Sequence, residues 1–415
     1  MDFELKPHTE PGKRFVALAE THAADFATRA DQHDRDKSFP HENIDAMKQS
    51  RVLAACVPEA LGGLGVESLH DYSLGISRLG RGDASTAIAT NMHAVIPWRL
   101  ARAWKVAKAN GVTQQIERLE ALLRQVVAGE VVMCLPFSEA GTDLFHPLVE
   151  ATKTAGGWLI NGRKIFGTMS EGAQLVDISC RVQGSEGGFR WAVVTVPCNS
   201  DGVEILYNWD AMGMRASGSH DIVLTNCFVP DTALTEVGPW GQWLDRFMIG
   251  HIGLVLGLTG VFLGIAETAR DLAVEAVKKQ RPGQSGRPLA ERYPIQHTIA
   301  EIEIDLAACR AMFARTASAV DTLLLGDPAS PICMDDLHDL MKDLQCTKWM
   351  VNRKAIEIVD RALTATGGAG YLSKNPLSRL YRDVRAGPFM QLFSPNEAFE
   401  YIGRVTLGLD PTPDD

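Results

Sequence analysis

The glycine-rich segment GGAGY, at residues 367–371, has a spacing that could support dinucleotide chemistry. Gly368, Gly370 and Ser373 nearly match the fingerprint with which Rossmann domains hold a pyrophosphate at the start of a helix. That fingerprint needs a strand before it, whereas these glycines follow a segment with helical periodicity. We therefore expect a helix end here, not a Rossmann site. The sequence also contains no Walker-type loop, HExxH helix or G-x-S-x-G elbow.

Cysteine spacing and net charge exclude further classes of function. The eight cysteines are scattered and form no C-x-x-C pair, which predicts no bound metal and is typical of the buried thiols of a cytoplasmic enzyme. The formal charge of −10 argues against a nucleic-acid partner, although a few arginines can still bind an anionic cofactor. The charged start MDFELKPHTE lacks an apolar signal core, so we expect a cytoplasmic location.

The hydrophobic pattern divides the chain into three regions: a helical domain at 1–130, a β domain at 131–238 and a helical bundle at 239–415. We expect the first region to contain a helix broken or kinked near Pro97. In the second, TKTAGGWLINGRKIFGT predicts two strands joined at Asn161-Gly162, within a small barrel or sandwich. The third predicts long antiparallel helices, two of which end at Gly326 and Gly367.

The segment Phe247–Ala266 is almost wholly apolar and long enough to cross a membrane. His251 interrupts it, and the sequence contains no second span. A helix that is apolar on all sides can also lie in the core of a large soluble protein. We therefore expect a buried helix and no membrane partner.

Five local segments resemble the acyl-CoA dehydrogenase family, and they occur in the family's order. They are VPEALGGLGV (57–66), SEAGTD (138–143), NGRKIFGT (161–168), MGMRASGSHDIVLTNCFVP (212–230) and GGAGYLSKNPLSRLYRDVRAG (367–387). The resemblance implies an α+β architecture with an N-terminal all-α domain, a middle β-barrel or sandwich domain and a C-terminal antiparallel four-helix bundle. It also implies an FAD cofactor and a homotetramer or homodimer.

The resemblance also implies which residues bind the cofactor. Thr168 corresponds to the threonine whose hydroxyl reaches the flavin near N5, and Phe166 to the aromatic residue that covers the isoalloxazine ring. Arg281 is a candidate for the pyrophosphate, although it stands one position early and Ser285 replaces the family's phenylalanine. The other predicted contacts are Leu135, Thr142, Gly367, Gly368, Gly370 and Asn396. Arg379, Arg382, Asp383 and Arg385 resemble a structural cluster of ion pairs.

The catalytic base of the family is absent from its usual place. Most members carry a glutamate in a Tyr-Glu-Gly-Thr turn, where this chain has Ser394 followed by Pro395. Some relatives carry it on the long bundle helix instead, near the position of Leu254 here. A serine hydroxyl is not a base without help, and removal of an α proton needs one. The candidates for a relocated base or partner are Glu397, His93, Glu171 and His251.

Three functions are compatible with this pattern. The first expectation is α,β-dehydrogenation of an acyl-CoA or carrier-bound thioester, with hydride transfer to flavin N5 and reoxidation by an electron-transfer flavoprotein. The second is a flavin-dependent monooxygenase or oxidase that uses molecular oxygen, because fold relatives of that kind lack the glutamate and use His, Ser or Thr around the flavin. The third is a non-catalytic flavin- or CoA-binding protein.

Overall fold

The computed structural model describes residues 3–185, 187–281, 286–390 and 392–412. The described chain runs from helices to a sheet and back to helices, and it forms the α+β architecture that the sequence predicts. Ser285, which bears on the prediction for Arg281, lies outside these residues.

The first helical region is built on two adjacent buried helices. The helices are α1 (Glu10–Phe26), α2 (Ala30–Asp36), α3 (His41–Gln49), α4 (Leu69–Gly82), α5 (Ala84–Ala109) and α6 (Thr113–Val127). Asp83 separates α4 from α5 because its carboxylate accepts hydrogen bonds from the backbone N–H groups of Ser85 and Thr86 and so caps α5. Helix α5 continues through Pro97, so of the predicted break or kink the break does not occur.

The middle region forms one mixed sheet. Its strands are β1 (Met133–Cys134), β2 (Glu150–Thr154), β3 (Gly157–Gly167), β4 (Leu175–Gln183), β5 (Phe189–Pro197), β6 (Val203–Ile205), β7 (His220–Pro230) and β8 (Leu234–Pro239). The spatial order is β6-β7-β3-β2-β4-β5-β8, and β1 pairs with β4. The long strands β3 and β7 pair antiparallel, so the end of β3 lies beside the start of β7.

The predicted turn at Asn161-Gly162 is wrong. The hairpin turns at Ala155-Gly156, since Thr154 pairs with Gly157 and Gly156 has a φ of 77°. Asn161 and Gly162 lie inside β3 at a register shift against β7, where the Asn161 side chain accepts a hydrogen bond from the backbone N–H of Asn226. An Asn-Gly pair thus marks a bulge here instead of a hairpin turn.

The C-terminal region is a bundle of long helices. Its helices are α7 (Asp245–Lys279), α8 (Tyr293–Leu324), α9 (Met334–Thr366), α10 (Gly368–Tyr371), α11 (Pro376–Asp383) and α12 (Pro395–Thr406). Helix α7 contains the segment apolar enough to cross a membrane, but 94% of its most apolar window is buried inside the fold. It packs against α4, α5 and α9, which confirms the prediction of a buried core helix.

Candidate active site

A central cavity of about 400 Å³ opens where the end of β3 meets α5, α7 and the segment after α11. Its wall is mostly apolar. The apolar side chains in it include Ile88, Met92, Leu135, Phe137, Met212, Met214, Leu254, Leu258, Phe389 and Met390. Of the predicted cofactor contacts, the structure brings Leu135, Phe166 and Thr168 together in this wall.

Phe166 stands in the wall with most of its ring uncovered. Its side chain is 57% exposed, and it meets Trp209 edge to face, with 6.0 Å between ring centroids. Its φ of 55° places a bulky residue in the left-handed region, where such residues are rare and strained. An exposed aromatic ring held by strained backbone inside a cavity is the geometry expected for a residue that stacks on a flat ligand.

Three hydroxyl groups form a chain along the same wall. The Thr168 hydroxyl lies 2.8 Å from that of Ser219, which lies 2.6 Å from that of Ser217. All three residues line the cavity, and Ser217 and Ser219 are buried. Because each hydroxyl can donate one bond and accept another, the chain can reverse direction as a unit. It can therefore present either a donor or an acceptor at Thr168.

A buried ion pair fixes the loop that carries Ser138 to strand β3. Lys164 on β3 is fully buried and lies 2.5 Å from Glu139, while its ammonium also donates to Ser179 at 3.0 Å. The second carboxylate oxygen of Glu139 accepts bonds from the backbone N–H groups of Leu148 and Val149, each at 2.9 Å. The NGRKIFGT and SEAGTD segments are therefore joined side chain to side chain.

The arginine cluster predicted after the GGAGY segment makes ion pairs at Arg379 and Arg382. Arg379 pairs with Asp31 at 2.7 Å, and Arg382 pairs with Asp34 at 2.5 Å. Asp383 accepts a bond from the backbone N–H of Met214 at 2.7 Å, and burial raises the pKa of this carboxyl to about 6. Arg385 is exposed, and both Arg382 and Arg385 line the central cavity.

Ser394, Glu397 and Thr142 line a different space. This acidic cavity, of about 430 Å³, is bordered by four carboxylates, those of Glu139, Asp143, Glu397 and Glu400. Glu397 accepts a hydrogen bond from the backbone N–H of Ser394 at 2.6 Å, and the Ser394 side chain accepts one in return, which forms the capping box that starts α12. The two candidate catalytic residues thus form hydrogen bonds with each other, and neither lines the central cavity.

His93 has no free nitrogen. Its Nε2–H donates to the carbonyl of Leu53 at 3.0 Å, and its Nδ1 accepts from the backbone N–H of Met133 at 3.0 Å. Burial lowers the pKa of this imidazole to about 4. The catalytic role predicted for His93 does not fit this position, because a neutral ring with both nitrogens bonded to backbone cannot take up a substrate proton.

The remaining predicted residues lie away from the central cavity. Glu171 accepts from His220 at 3.1 Å. Gly367 and Gly368 face open space, whereas Gly370 packs against Thr366. Arg281 is exposed after α7, where it donates to the carbonyl of Lys278 at 3.4 Å. The cofactor contacts predicted for Gly367, Gly368, Gly370, Arg281 and Asn396 remain predictions.

Sequence reasoning missed Trp209, Ser217 and Ser219 as parts of the site. The two serines lie in the MGMRASGSHDIVLTNCFVP segment, but their hydroxyl chain depends on β7 starting beside the end of β3. Trp209 had no signal beyond being an aromatic residue close to that segment.

The central cavity fits the isoalloxazine ring of a flavin. The ring is flat and aromatic with one polar edge, and the cavity offers a stacking residue in Phe166, an apolar wall and hydroxyl groups at one side. When bound, a flavin would supply the redox chemistry that these side chains do not have. Phe166 and Trp209 would hold its ring, and Thr168 would meet its polar edge.

The chain matches family models of acyl-CoA dehydrogenases in three parts: the N-terminal domain over 12–103, the middle domain over 137–227 and the C-terminal domain over 256–395. It is 34% identical to the amino sugar nitrososynthase DnmZ of Streptomyces peucetius, over 97% of this chain and 95% of the relative. FAD is consistent with the family.

Solved structures with 32% sequence identity include the following two. KijD3 in complex with FMN and dTDP-3-amino-2,3,6-trideoxy-4-keto-3-methyl-D-glucose has a TM-score of 0.89, covering 98% of this chain and 96% of that one. The nitrososynthase from Micromonospora carbonacea var. africana has a TM-score of 0.88, covering 99% and 100%. The chain is therefore a flavin-dependent oxidoreductase that belongs to the acyl-CoA dehydrogenase superfamily.

Proposed function

We propose that this protein is an oxygen-using flavin monooxygenase that oxidises the amino group of a nucleotide-linked amino sugar. The observation that carries the proposal is the lining of the central cavity. Among the described residues that line it, none is an aspartate, a glutamate or a histidine. Dehydrogenation of a thioester needs a base that removes the α proton, and this cavity does not offer one.

Oxidation of an amine does not need such a base. A neutral amine attacks an electrophilic oxygen with its own lone pair, so no C–H proton has to be removed by the protein. Amine, O2, two electrons and two protons give a hydroxylamine and one water. A second O2, with two more electrons and protons, converts the hydroxylamine into a nitroso group and two waters. Reduced flavin supplies the electrons.

The substrate class follows from the relatives. Three relatives that are 32 to 34% identical over 97% of this chain are nitrososynthases, and one similar structure holds a dTDP-linked amino sugar. This chain's contribution to the reaction is positional. Phe166 would hold the flavin face, the hydroxyl chain would supply or take a proton at Thr168, and the apolar wall would exclude water.

The test compares the two reactions in one preparation. Protein loaded with flavin is mixed with a dTDP-linked amino sugar, reduced flavin and isotopically labelled dioxygen. The masses of the products are then measured by mass spectrometry. We expect a product that carries labelled oxygen on nitrogen. In parallel, acyl-CoA thioesters are added without oxygen while the visible absorption of the oxidised flavin is followed.

Bleaching of the flavin by a thioester, with an enoyl product two hydrogens lighter, would establish the dehydrogenase and overturn this proposal. Loss of reduced flavin to hydrogen peroxide, with the amino sugar unchanged, would leave an oxidase activity and would also reject the proposed substrate.

A further inference from the structure

A third cavity, of about 50 Å³, lies on the far side of Leu135 and Phe137, two residues that also line the central cavity. Most of its wall is apolar, but Arg99, Asp177 and His251 also contribute to it, and we call it the polar pocket after these three residues. Its volume has room for one small polar group or a few waters, since a water needs roughly 10–15 Å³ by this measure. A nucleotide is too large for it.

His251 presents an unused hydrogen-bond acceptor. Its Nδ1–H donates to the carbonyl of Phe247 at 2.9 Å, so Nε2 carries a lone pair. The side chain is 3% exposed, and this Nε2 is buried without a partner among the described residues. The rings of Phe137 and Phe247 flank the imidazole, at centroid distances of 4.7 Å and 3.8 Å.

A second residue of the pocket wall also has a buried polar atom without a partner. Trp191 is 2% exposed, and its indole N–H has no hydrogen-bond partner in the described structure. Arg99 Nη1 and Asp177 Oδ2 are 3.8 Å apart, which is too long for a direct hydrogen bond. A residue with a buried unpaired acceptor, one with a buried unpaired donor and a separated ion pair are therefore all part of the lining of one small cavity.

Building on the proposed function, we propose that the polar pocket receives a hydroxyl or amino group of the substrate's sugar ring, which reaches it past Leu135 and Phe137. Such a group both donates and accepts, so it can pair with His251 Nε2 and with the Trp191 N–H together. The end of an apolar acyl chain would pair with neither and would leave both polar atoms unsatisfied. The pocket thus selects sugars over acyl chains.

The test measures binding of two probes to the flavin-loaded protein by calorimetry: dTDP alone and a dTDP-linked amino sugar. His251→Phe keeps an aromatic ring between Phe137 and Phe247 but removes the acceptor, and Trp191→Phe removes the indole donor together with part of a buried ring system. We expect each variant to bind the amino-sugar nucleotide roughly tenfold more weakly, the loss of one hydrogen bond, and dTDP with unchanged affinity. Thermal melts verify that both variants fold; either one suffices for the test.

Three results would overturn the pocket: wild-type protein that binds the amino sugar no more tightly than dTDP, variants that lose both probes equally, or variants that lose neither. Amino-sugar binding with the expected losses, but without oxidation of the bound sugar, would reject the proposed function and keep the pocket. Failure of the two proposals is therefore distinguishable.

Discussion

The central cavity and the acidic cavity share Ser138 and Phe389, yet they are lined by opposite kinds of side chain. Four carboxylates border the acidic cavity, whereas the described lining of the central cavity contains none. Three of the four accept hydrogen bonds from backbone: Glu139 from Leu148 and Val149, Asp143 from Phe145, and Glu397 from Ser394.

A carboxylate that lies near the central cavity is therefore not a base for that reason alone. A base needs a lone pair aimed at the proton it removes. Here three of the four carboxylates accept hydrogen bonds from loop or helix N–H groups, and none of the four lines the central cavity. The following predictions test that separation.

The largest effect is expected where the two cavities are joined. Lys164→Met leaves the buried Glu139 carboxylate without its cation, which should lower the free energy of unfolding by about 3–5 kcal/mol. Urea denaturation measures the change. Lys153→Met on the neighbouring strand is the control, because its pair with Asp231 is more than half exposed and should contribute under about 1 kcal/mol. Equal losses in both variants would mean that the buried pair does not anchor the wall.

Removal of the Phe166 ring should weaken flavin binding and leave the acidic cavity unchanged. Phe166→Ala should raise the Kd for FAD or FMN about 10- to 100-fold, since burying an aromatic side chain against a ligand contributes about 1.5–3 kcal/mol. Fluorescence titration of the apoprotein measures it. Phe399→Ala is matched in exposure, 54% against 57%, but lies outside the central cavity. If Phe399→Ala loses as much affinity, the flavin does not bind where we place it.

The sequence predicted most of the scaffold because its signals are local. The apolar run of α7 and the segments that resemble the family predicted the order of helices and strands. Three of the residues predicted from that resemblance, Leu135, Phe166 and Thr168, line the same cavity. The Asn161-Gly162 turn was mispredicted because Gly156 allows the same backbone geometry six residues earlier. Which glycine turns the hairpin depends on pairing with β7, which is not a local property.

The polar details of the site could not be predicted for the same reason. The hydrogen-bonded chain Thr168–Ser219–Ser217 forms between two chain segments that are distant in sequence. The two ring nitrogens of His93 form hydrogen bonds with the backbone of Leu53 and Met133, so their pairing depends on three separate segments. Side-chain type identified His93 as a candidate base, and tertiary contacts made it a structural residue.

The position of His93 predicts a dependence of stability on pH. Its pKa is about 4 in the folded protein against an ordinary 6.5, because burial disfavours the charged ring. Between these values the unfolded chain takes up a proton that the folded chain refuses, so stability falls as pH falls through this window. We expect His93→Gln, which can keep both backbone bonds, to remove about 2 kcal/mol of the loss between pH 7 and pH 5. The control is His297→Gln, because His297 is exposed. Identical dependence of stability on pH in the two variants would show that folding does not lower the pKa of His93.

The smallest effect should come from Glu397→Gln, and it bears most directly on the separation of the cavities. Glutamine can still accept from the Ser394 N–H, so the capping box survives and stability should change by under about 0.5 kcal/mol. Glu397→Ala removes the box and should cost about 1 kcal/mol. Because the carboxylate does not line the central cavity, oxidation of an amino-sugar nucleotide by Glu397→Gln should match wild type. Turnover lost in Glu397→Gln, with flavin bound and melting temperature kept, would mean that the acidic cavity supplies a base after all.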